Sequence, residues 1–400
     1  MAQLPFPLLP ITYLTAIFFL NFVSRVMLGP FLPIIEHDLG LGHAGAGSLF
    51  FFIQVGYAAG LFGSGLLSWR FTHRRAIMLS SLGLGIALLG LSRIGSVGEL
   101  RAWLVVLGTS AGVYLPSGIA TITHVVQEGH WGKALAFHEL APNGGFVTAP
   151  LIAEALFAAV GWRGVFAILG CVAILLALCS RSLREAGNFA GEPPRGRSIV
   201  FLLRTSSVWV MGCLFATGGI GPGLGLYGML PLFLVSGVGL SWETANTITG
   251  LSRVSSLVAI FVSGWLTDRI GYRHTLLLTL ASTGLLTIAL GLFHGPALTP
   301  TLIFFQSGVA SLFFPPAFVA VSQLVPPHMR NLAISLTIAM GVVLGGGGVP
   351  SLIGYLAEVA SFSAGFTLLG IVTLCSMLLL RVSPPARTSV AADGTHSIKA

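Results

Sequence analysis

Charged side chains are the scarcest feature of this 400-residue chain. Asp, Glu, Lys and Arg together make up 8% of the residues, whereas soluble domains average roughly 25%. Only two of the 20 basic residues are lysines. A soluble protein of this length needs far more polar surface to cover its core. The shortage of charge therefore excludes an ordinary soluble fold.

Sequence motifs for catalysis and cofactor binding are also missing. The four cysteines lie in apolar runs and form no C-x-x-C pair, which excludes a disulfide framework or a zinc site. The segment around Lys133 lacks the G-x-x-x-x-G-K-S/T spacing of a phosphate-binding loop, and the sequence contains no metal-ligand cluster or catalytic triad. We therefore expect no cofactor, no metal and no enzymatic activity.

Long apolar runs dominate the sequence instead. Hydrophobic residues make up 54% of the chain, and the mean hydropathy is +0.92. A membrane-spanning helix needs about 20 apolar residues. Loops rich in charge, Gly and Pro separate twelve such spans, at 10–34, 45–68, 75–94, 101–125, 136–160, 163–181, 207–235, 244–266, 275–294, 300–324, 332–357 and 363–381. The pattern predicts an all-α membrane protein with twelve transmembrane helices.

The longest polar stretch, at residues 181–197, divides the chain near its midpoint. We predict an N-terminal six-helix bundle at 1–181, a cytoplasmic linker at 182–206, a C-terminal six-helix bundle at 207–381 and a cytoplasmic tail at 382–400. The N-terminus has no basic region or small-residue cleavage site, so we expect the first span to be retained and not cleaved as a signal peptide.

The basic residues indicate the orientation in the membrane. If both termini lie inside, the inner loops, linker and tail hold 15 Lys and Arg, and the outer side holds three. Such a bias is typical of cytoplasmic loops, so we predict a multi-pass protein of the cell (inner) membrane with both termini cytoplasmic. The net charge of +8 is thus an orientation signal and indicates no nucleic-acid partner.

An internal repeat relates the two halves at an offset of about 199 residues. GLLSWRFTHRR from Gly65 aligns with GWLTDRIGYRH from Gly264, and Pro116 aligns with Pro315. The repeat predicts two pseudo-symmetric six-helix bundles. Secondary transporters use this plan, with the substrate site between the halves near the middle of the membrane.

The second copy of this repeat resembles the loop motif of the major facilitator superfamily, G-x-L-x-D-R-x-G-x-R, in residues 264–273. The N-half copy is degenerate, because Trp69 replaces the acid and Thr72 the glycine. The resemblance covers essentially the whole chain and implies the major facilitator fold and transport by alternating access. The membrane-embedded arginine that the family carries in its fourth helix is absent.

The resemblance also implies a gating role for the loop motif. In this family the loop acid helps to hold the inner gate by docking near the N-terminus of a helix in the same half, where free N–H groups attract a carboxylate. The resemblance assigns this role to Asp268, which would dock near the start of the eleventh span. Gly264, Arg269 and Arg70 are further motif residues. A solvated loop acid is the alternative.

Two arginines lie within the predicted spans. An arginine in the bilayer is costly and therefore faces a cavity or a partner. Arg25 lies in the first span, one helical turn after Asn21, which we expect to assist it in binding substrate, and the segment resembles organic-anion symporters of the family. Arg253 lies in the eighth span, where monocarboxylate carriers also place an arginine, although theirs follows an acid and Thr249 stands here. A structural role is the alternative for both.

We expect the two arginines to bind an anion, because guanidinium binds carboxylate through two hydrogen bonds and is permanently charged. A carboxylate held between Arg25 and Arg253 is one such arrangement. Tyr114 and Tyr227 lie in helices that line the cavity in the related family, so we expect them to form hydrogen bonds with substrate. A role in packing is the alternative for both.

Titratable groups in the fifth span are candidates for proton coupling. His138 and Glu139 lie near its inner end, and Glu154 lies deeper in the same span. A histidine titrates near neutral pH, which suits a proton carrier. Capping of the helix is the alternative for Glu139, and a place near the outer interface is the alternative for Glu154.

Taken together, these features predict a monomeric secondary transporter that moves a small organic anion, monocarboxylate-like, by proton-coupled symport. Its partners are the anionic substrate, protons and the lipid bilayer. A proton-coupled efflux antiporter for amphipathic drugs or metabolites is the alternative, because residues 145–150 partly resemble the antiporter motif. A receptor or a membrane enzyme is disfavoured by the repeat.

Overall fold

A computed structural model describes residues 7–179, 186–191, 196–295, 297–325 and 329–382. The predicted tail, beyond position 382, and the linker positions 182–185 and 192–195 lie outside these residues. The long apolar helices are α1 (Leu8–Leu39), α2 (His43–Arg70), α3 (His73–Leu91), α4 (Val97–Val125), α5 and α6 (together Glu128–Cys179), α7 (Ser206–Gly237), α8 (Trp242–Ile270), α9 (Tyr272–Leu292), α10 (Leu298–Leu324), α11 (Leu332–Val359) and α12 (Phe362–Arg381).

The described residues form eleven continuous helical segments that are long and apolar enough to cross a membrane. The longest of them, Glu128–Cys179, turns at Gly161, whose φ of 63° and ψ of 174° are not helical. Glycine adopts this conformation without a steric penalty because it has no Cβ. α5 therefore covers 128–160 and α6 covers 162–179. The predicted fold class, with twelve transmembrane helices, is confirmed.

The two halves repeat the same close helix contacts. In the first half, a Cβ added to Gly85 of α3 would lie 2.8 Å from the carbonyl oxygen of Gly170 in α6. In the second half, a Cβ on Gly284 of α9 would lie 2.9 Å from the carbonyl oxygen of Gly370 in α12. Small residues let membrane helices approach this closely. The same crossing thus recurs one repeat apart, as two pseudo-symmetric six-helix bundles require.

The halves are closed against each other at one end. We call the end of the bundle that carries Arg70 and Arg269 the motif end, and the other the opposite end. Within the described ranges, the hydrogen bonds that join the halves are Ala44 N to Glu358 Oε2, Trp242 Nε1 to Pro30 O, Thr247 Oγ1 to Glu154 Oε2 and Tyr227 hydroxyl to Phe146 O, at 2.6–3.2 Å. All of them lie at the opposite end or in the middle of the bundle.

Glycines of α2 show the same asymmetry along a single helix. A Cβ built on Gly47, at the opposite end, would lie 2.4 Å from the carbonyl oxygen of Pro350 in α11. Gly65 lies about five turns further on, on the same helix face near the motif end, and nothing lies within 4 Å of a Cβ built on it; the same holds for Gly264 in α8. Together with the positions of the inter-half hydrogen bonds, this indicates that the space between the halves opens toward the motif end.

The described part of the linker, residues 186–191, packs on the motif end of the first half. Its carbonyl groups accept hydrogen bonds from the first turn of α3: His73 N donates to Phe189 O at 3.1 Å, and Arg74 N donates to Gly187 O at 2.8 Å. The Phe189 ring lies 4.7 Å from the His73 ring and 4.2 Å from the His124 ring. The linker thus caps α3 beside Trp69, where the loop acid is missing.

Candidate substrate-binding site

Arg25 lies in the middle of α1 and is 7% exposed. Its guanidinium stacks on the Tyr57 ring of α2 at 4.0 Å and faces the Phe22 ring at 5.1 Å. Its Nε is buried without a hydrogen-bond partner. An aromatic face attracts a cation and favours Arg in particular. The rings therefore hold the guanidinium in place while leaving its N–H groups for another acceptor.

Arg253 lies in the middle of α8, in the second half, and is also surrounded by aromatic rings. It is 4% exposed, and its guanidinium lies 4.2 Å from the Tyr227 ring and 4.5 Å from the Phe146 ring. Its Nη2 donates a hydrogen bond to the carbonyl oxygen of Gly223, and its Nε has no partner. Gly223 belongs to a π-helical segment of α7, Phe215–Gly225. Arg253 is thus partly anchored by a backbone carbonyl in its own half.

The two arginines line separate cavities. A cavity of about 90 Å³ contains Arg253 together with Asn143, Ser256 and Ser311, and one of about 10 Å³ contains Arg25 and Gln54. Leu224 lines both cavities, and Tyr227, on whose ring Arg253 stacks, also lines the cavity of Arg25. Side chains of α7 therefore border the cavities of both arginines.

Neither arginine is neutralised by a carboxylate. In the part of the chain that the structure describes, the ion pairs are His43–Glu36 at 2.7 Å and Arg163–Asp38 at 2.6 Å. Both pairs lie at the opposite end, away from the arginines. Two buried cations without an acid are costly in a membrane interior. The electrostatics of the site therefore favour an anionic ligand.

Three of the residues predicted to contact substrate form hydrogen bonds with protein groups in this conformation. Tyr227 donates from its hydroxyl to Phe146 O at 2.6 Å, with its ring at the Arg25 cavity. Asn21 is buried and donates from Nδ2 to Ala111 O of α4 at 3.0 Å. Tyr114 is fully buried and bonds to Leu14 O. Asn21 and Tyr114 thus point into the first bundle, whereas Tyr227 remains at the site.

His138 and Glu139 are adjacent in sequence but have different environments. His138 is completely buried, stacks on Phe18 at 4.5 Å and contacts the Tyr114 hydroxyl through Nε2 at 2.9 Å. The Glu139 side chain is exposed, and its carbonyl oxygen accepts a hydrogen bond from Asn143 Nδ2 at 2.8 Å. Asn143 lines the cavity of Arg253, so Glu139 lies one helical turn from that cavity, whereas His138 points into the first bundle.

Glu154 and the loop motif lie away from the arginines. Glu154 accepts a hydrogen bond from Thr247 across the two halves at 3.2 Å. Asp268 and Arg70 are exposed, the Arg269 guanidinium lies 5.2 Å from the Trp265 ring, and the predicted docking of Asp268 at the start of α11 is not among the contacts of the described residues. The space beside Gly264 is open. The gating roles of these four motif residues stay predictions.

Sequence reasoning did not assign a role to two buried polar residues of the spans. Gln54 is 3% exposed, its Oε1 has no partner, and it is the repeat equivalent of Arg253. Asn246, two helical turns before Arg253, is fully buried, and neither polar atom of its side chain has a partner. Both could have been found as polar residues within a predicted span. Asn246 lies two helical turns before Arg253, and Gln54 aligns with Arg253 in the internal repeat.

Comparison with known proteins agrees with this architecture. A probable sulfoacetate transporter of Cupriavidus necator is 26% identical over 68% of this chain and 67% of its own. A gallate transporter of Pseudomonas putida is 23% identical over 90% of this chain and 88% of its own. The crystal structure of a bacterial homolog of the human lysosomal transporter Spinster, inward-facing and occupied, superposes with a TM-score of 0.73 at 17% identity, covering 93% of this chain and 94% of that one.

At 17% identity the structural similarity shows the fold alone, whereas a family model that matches the sequence shows the family. The model described as Major Facilitator Superfamily matches residues 14–298 and 226–398. These matches span nearly the whole chain and both copies of its internal repeat. The chain is therefore a transporter-fold membrane protein that belongs to the Major Facilitator Superfamily.

Proposed function

We propose that the chain is a secondary active transporter of a small organic anion that works by alternating access with a proton as the coupling ion. The observation that carries the proposal is the pair Arg25 and Arg253, both buried, both stacked on tyrosine and neither paired with an acid in the described residues. A binding site made of two permanent cations selects a negative ligand. The names of the sulfoacetate and gallate transporters, which are relatives, support an anionic substrate class.

The direction in which the site opens follows from the predicted orientation. The positive-inside bias puts the motif end in the cytoplasm of a cell (inner) membrane. The halves separate at that end, so this conformation is inward-facing. Alternating access then needs the four inter-half hydrogen bonds of the opposite end and the middle to break while new contacts form around Gly65 and Gly264.

Glu139 is the group that we propose to carry the proton. Its side chain is exposed, and its carbonyl oxygen accepts a hydrogen bond from Asn143 Nδ2 at 2.8 Å, one helical turn further on in the cavity of Arg253. An ionised carboxylate one turn from this cavity repels an approaching anion, and protonation removes that repulsion. Binding of the anion and the proton are thereby coupled.

The test is uptake of labelled organic anions into proteoliposomes that contain the purified protein, with and without an inward proton gradient. We expect gradient-stimulated anion uptake that Arg25→Gln and Arg253→Gln each abolish. Arg93→Gln, which removes an exposed arginine near the opposite end, is the matched control and should transport normally. Anion uptake that survives in both site variants would refute the assignment.

The proton is tested separately with Glu139→Gln. This change should preserve anion counterflow, which needs no gradient, but should remove stimulation of uptake by a proton gradient. Glu128→Gln alters an exposed acid near the same end and serves as the control. Normal gradient stimulation in Glu139→Gln would exclude Glu139 as the coupling group.

A further inference from the structure

We infer that the substrate is a small dianion with an acid group at each end, one bound by Arg25 and the other by Arg253. The inference rests on the proposed function, because it specifies the class of anion that the same site transports. It differs from the sequence-based expectation that both guanidinium groups hold one carboxylate.

The separate cavities of the arginines are the first observation that points to two binding positions. Arg253 lines one cavity and Arg25 the other, and Leu224 borders both. Tyr227 presents its ring to Arg253 and also lines the cavity of Arg25, and its hydroxyl donates a hydrogen bond to Phe146 O in the other half. An acid group in one cavity therefore meets one guanidinium, and a second acid group is needed to meet the other.

Charge balance is the second observation. Arg25 and Arg253 contribute two positive charges that are 7% and 4% exposed, with no acid paired to either in the described ranges. A monoanion leaves one of these charges buried and uncompensated, which is unfavourable in low-dielectric surroundings. A dianion neutralises both. The substrate charge that fits the site is therefore −2.

An amide beside each arginine supplies a donor for a second contact to an acid group. Asn143 lines the cavity of Arg253, and its Nδ2 donates one N–H to Glu139 O at 2.8 Å and carries a second N–H. Ser256 and Ser311 line the same cavity, but both hydroxyls donate to Ser307 O at 3.0 Å. Gln54 lines the cavity of Arg25, where its Nε2 can donate to an acid group. Each arginine thus has an uncharged amide neighbour, and no carboxylate lines either cavity.

The first test compares matched anions on the purified full-length protein in detergent, by thermal shift and by competition in counterflow. Succinate is compared with butyrate, and sulfoacetate with acetate, at a pH where every acid group is ionised. We expect each dianion to bind at least about tenfold more tightly than its monoanion, the order expected for one further charge-assisted contact. A monoanion that binds as tightly as its dianion overturns the inference.

The second test uses Arg25→Gln to separate two binding positions from one shared carboxylate. With two positions, the variant lowers dianion affinity toward that of the monoanion and reduces the dianion preference. With one shared carboxylate, it lowers dianion and monoanion affinity by the same factor, which contradicts the inference. Arg93→Gln is the control and should keep the wild-type preference.

These outcomes separate the inference from the proposed function. If no anion of either class binds or is transported, the proposed function itself fails. If monoanions bind and dianions show no advantage, the function stands and only the inference fails. If Arg25→Gln does not yield folded protein, the wild-type comparison of the matched pairs still decides.

Discussion

At the scale of single residues, the binding site depends on the shape of the guanidinium group as well as on its charge. Arg25 and Arg253 each stack on a tyrosine and face a phenylalanine, at distances between 4.0 and 5.1 Å. A flat, delocalised cation can stack in this way and still present its edge to an acid group. A lysine ammonium carries the same charge but cannot bind an acid through two parallel hydrogen bonds.

We therefore expect Arg253→Lys to weaken anion binding although the charge is kept. Loss of one charge-assisted hydrogen bond costs about 1.5–3 kcal/mol, or roughly 10- to 100-fold in affinity. The same change also removes the bond to Gly223 O, so the thermal stability without ligand should fall slightly. The measurement is a thermal-shift titration, with Arg93→Lys as control. Unchanged affinity in Arg253→Lys would show that charge alone defines the site.

At the scale of helices, the contact of α2 with α11 controls closure of the opposite end. A Cβ on Gly47 would lie 2.4 Å from Pro350 O, and one on Gly354 would lie 2.3 Å from His43 O. Contacts this short leave no room for a side chain. The two helices can approach in this conformation only because glycine stands at the crossing.

Gly47→Ala should therefore destabilise the closed opposite end and favour the outward-facing conformation. Gly63→Ala is the matched control, because it adds the same methyl group to the same helix where nothing lies within 4 Å. The measurement is the rate at which a membrane-impermeant maleimide labels a cysteine placed at Thr247, with the four native cysteines replaced by serine. We expect faster labelling in Gly47→Ala only, and equal rates in both variants would contradict the role given to this crossing.

The linker forms a second contact at this scale, with the first turn of α3. Gly187 has a φ of +76°, and a Cβ there would lie 2.9 Å from Thr121 Oγ1 and 3.2 Å from Arg74 N. Alanine is strained at positive φ, by roughly 1 kcal/mol or more. Gly187→Ala should therefore release the linker from α3.

Limited proteolysis of the purified protein measures this release. We expect Gly187→Ala to be cut faster in the linker than wild type. Asn188→Ala changes the adjacent exposed residue and should behave like wild type. If both variants are cut at the wild-type rate, the bonds of Gly187 and Phe189 to α3 do not hold the linker.

At the scale of the whole molecule, hydropathy and charge were sufficient to predict the fold. Twelve spans and two halves follow from the length and repeat of apolar runs, and Arg25 and Arg253 are conspicuous in them. The rotation of each helix was not predictable, because helices that are apolar all round have no marked face. Tyr114 therefore turns toward Leu14 and His138 inside the first bundle, which the sequence could not reveal.

A carboxylate that bridges the halves is a further feature, and sequence reasoning did not predict it. Asp268, which we expected to dock at a helix N-terminus within its own half, is exposed, and its gating role stays a prediction. At the opposite end, Glu358 of α11 accepts a hydrogen bond from Ala44 N in the first turn of α2, at 2.9 Å. Gly42, at the N-cap of α2, supplies no side-chain cap of its own. A residue of the second half therefore caps a helix of the first.

This cap exists only while the opposite end is closed, so it should favour the inward-facing conformation. Loss of a side-chain cap costs roughly 1 kcal/mol, or about fivefold in an equilibrium constant. Glu358→Ala should therefore raise the outward-facing population about fivefold, with Glu358→Gln intermediate because its amide oxygen still accepts. Maleimide labelling at position 247 measures the shift. Glu243→Ala removes another exposed acid at the same end and should leave the rate unchanged. Equal labelling in Glu358→Ala and Glu243→Ala would mean that Glu358 caps α2 without contributing to the conformational equilibrium.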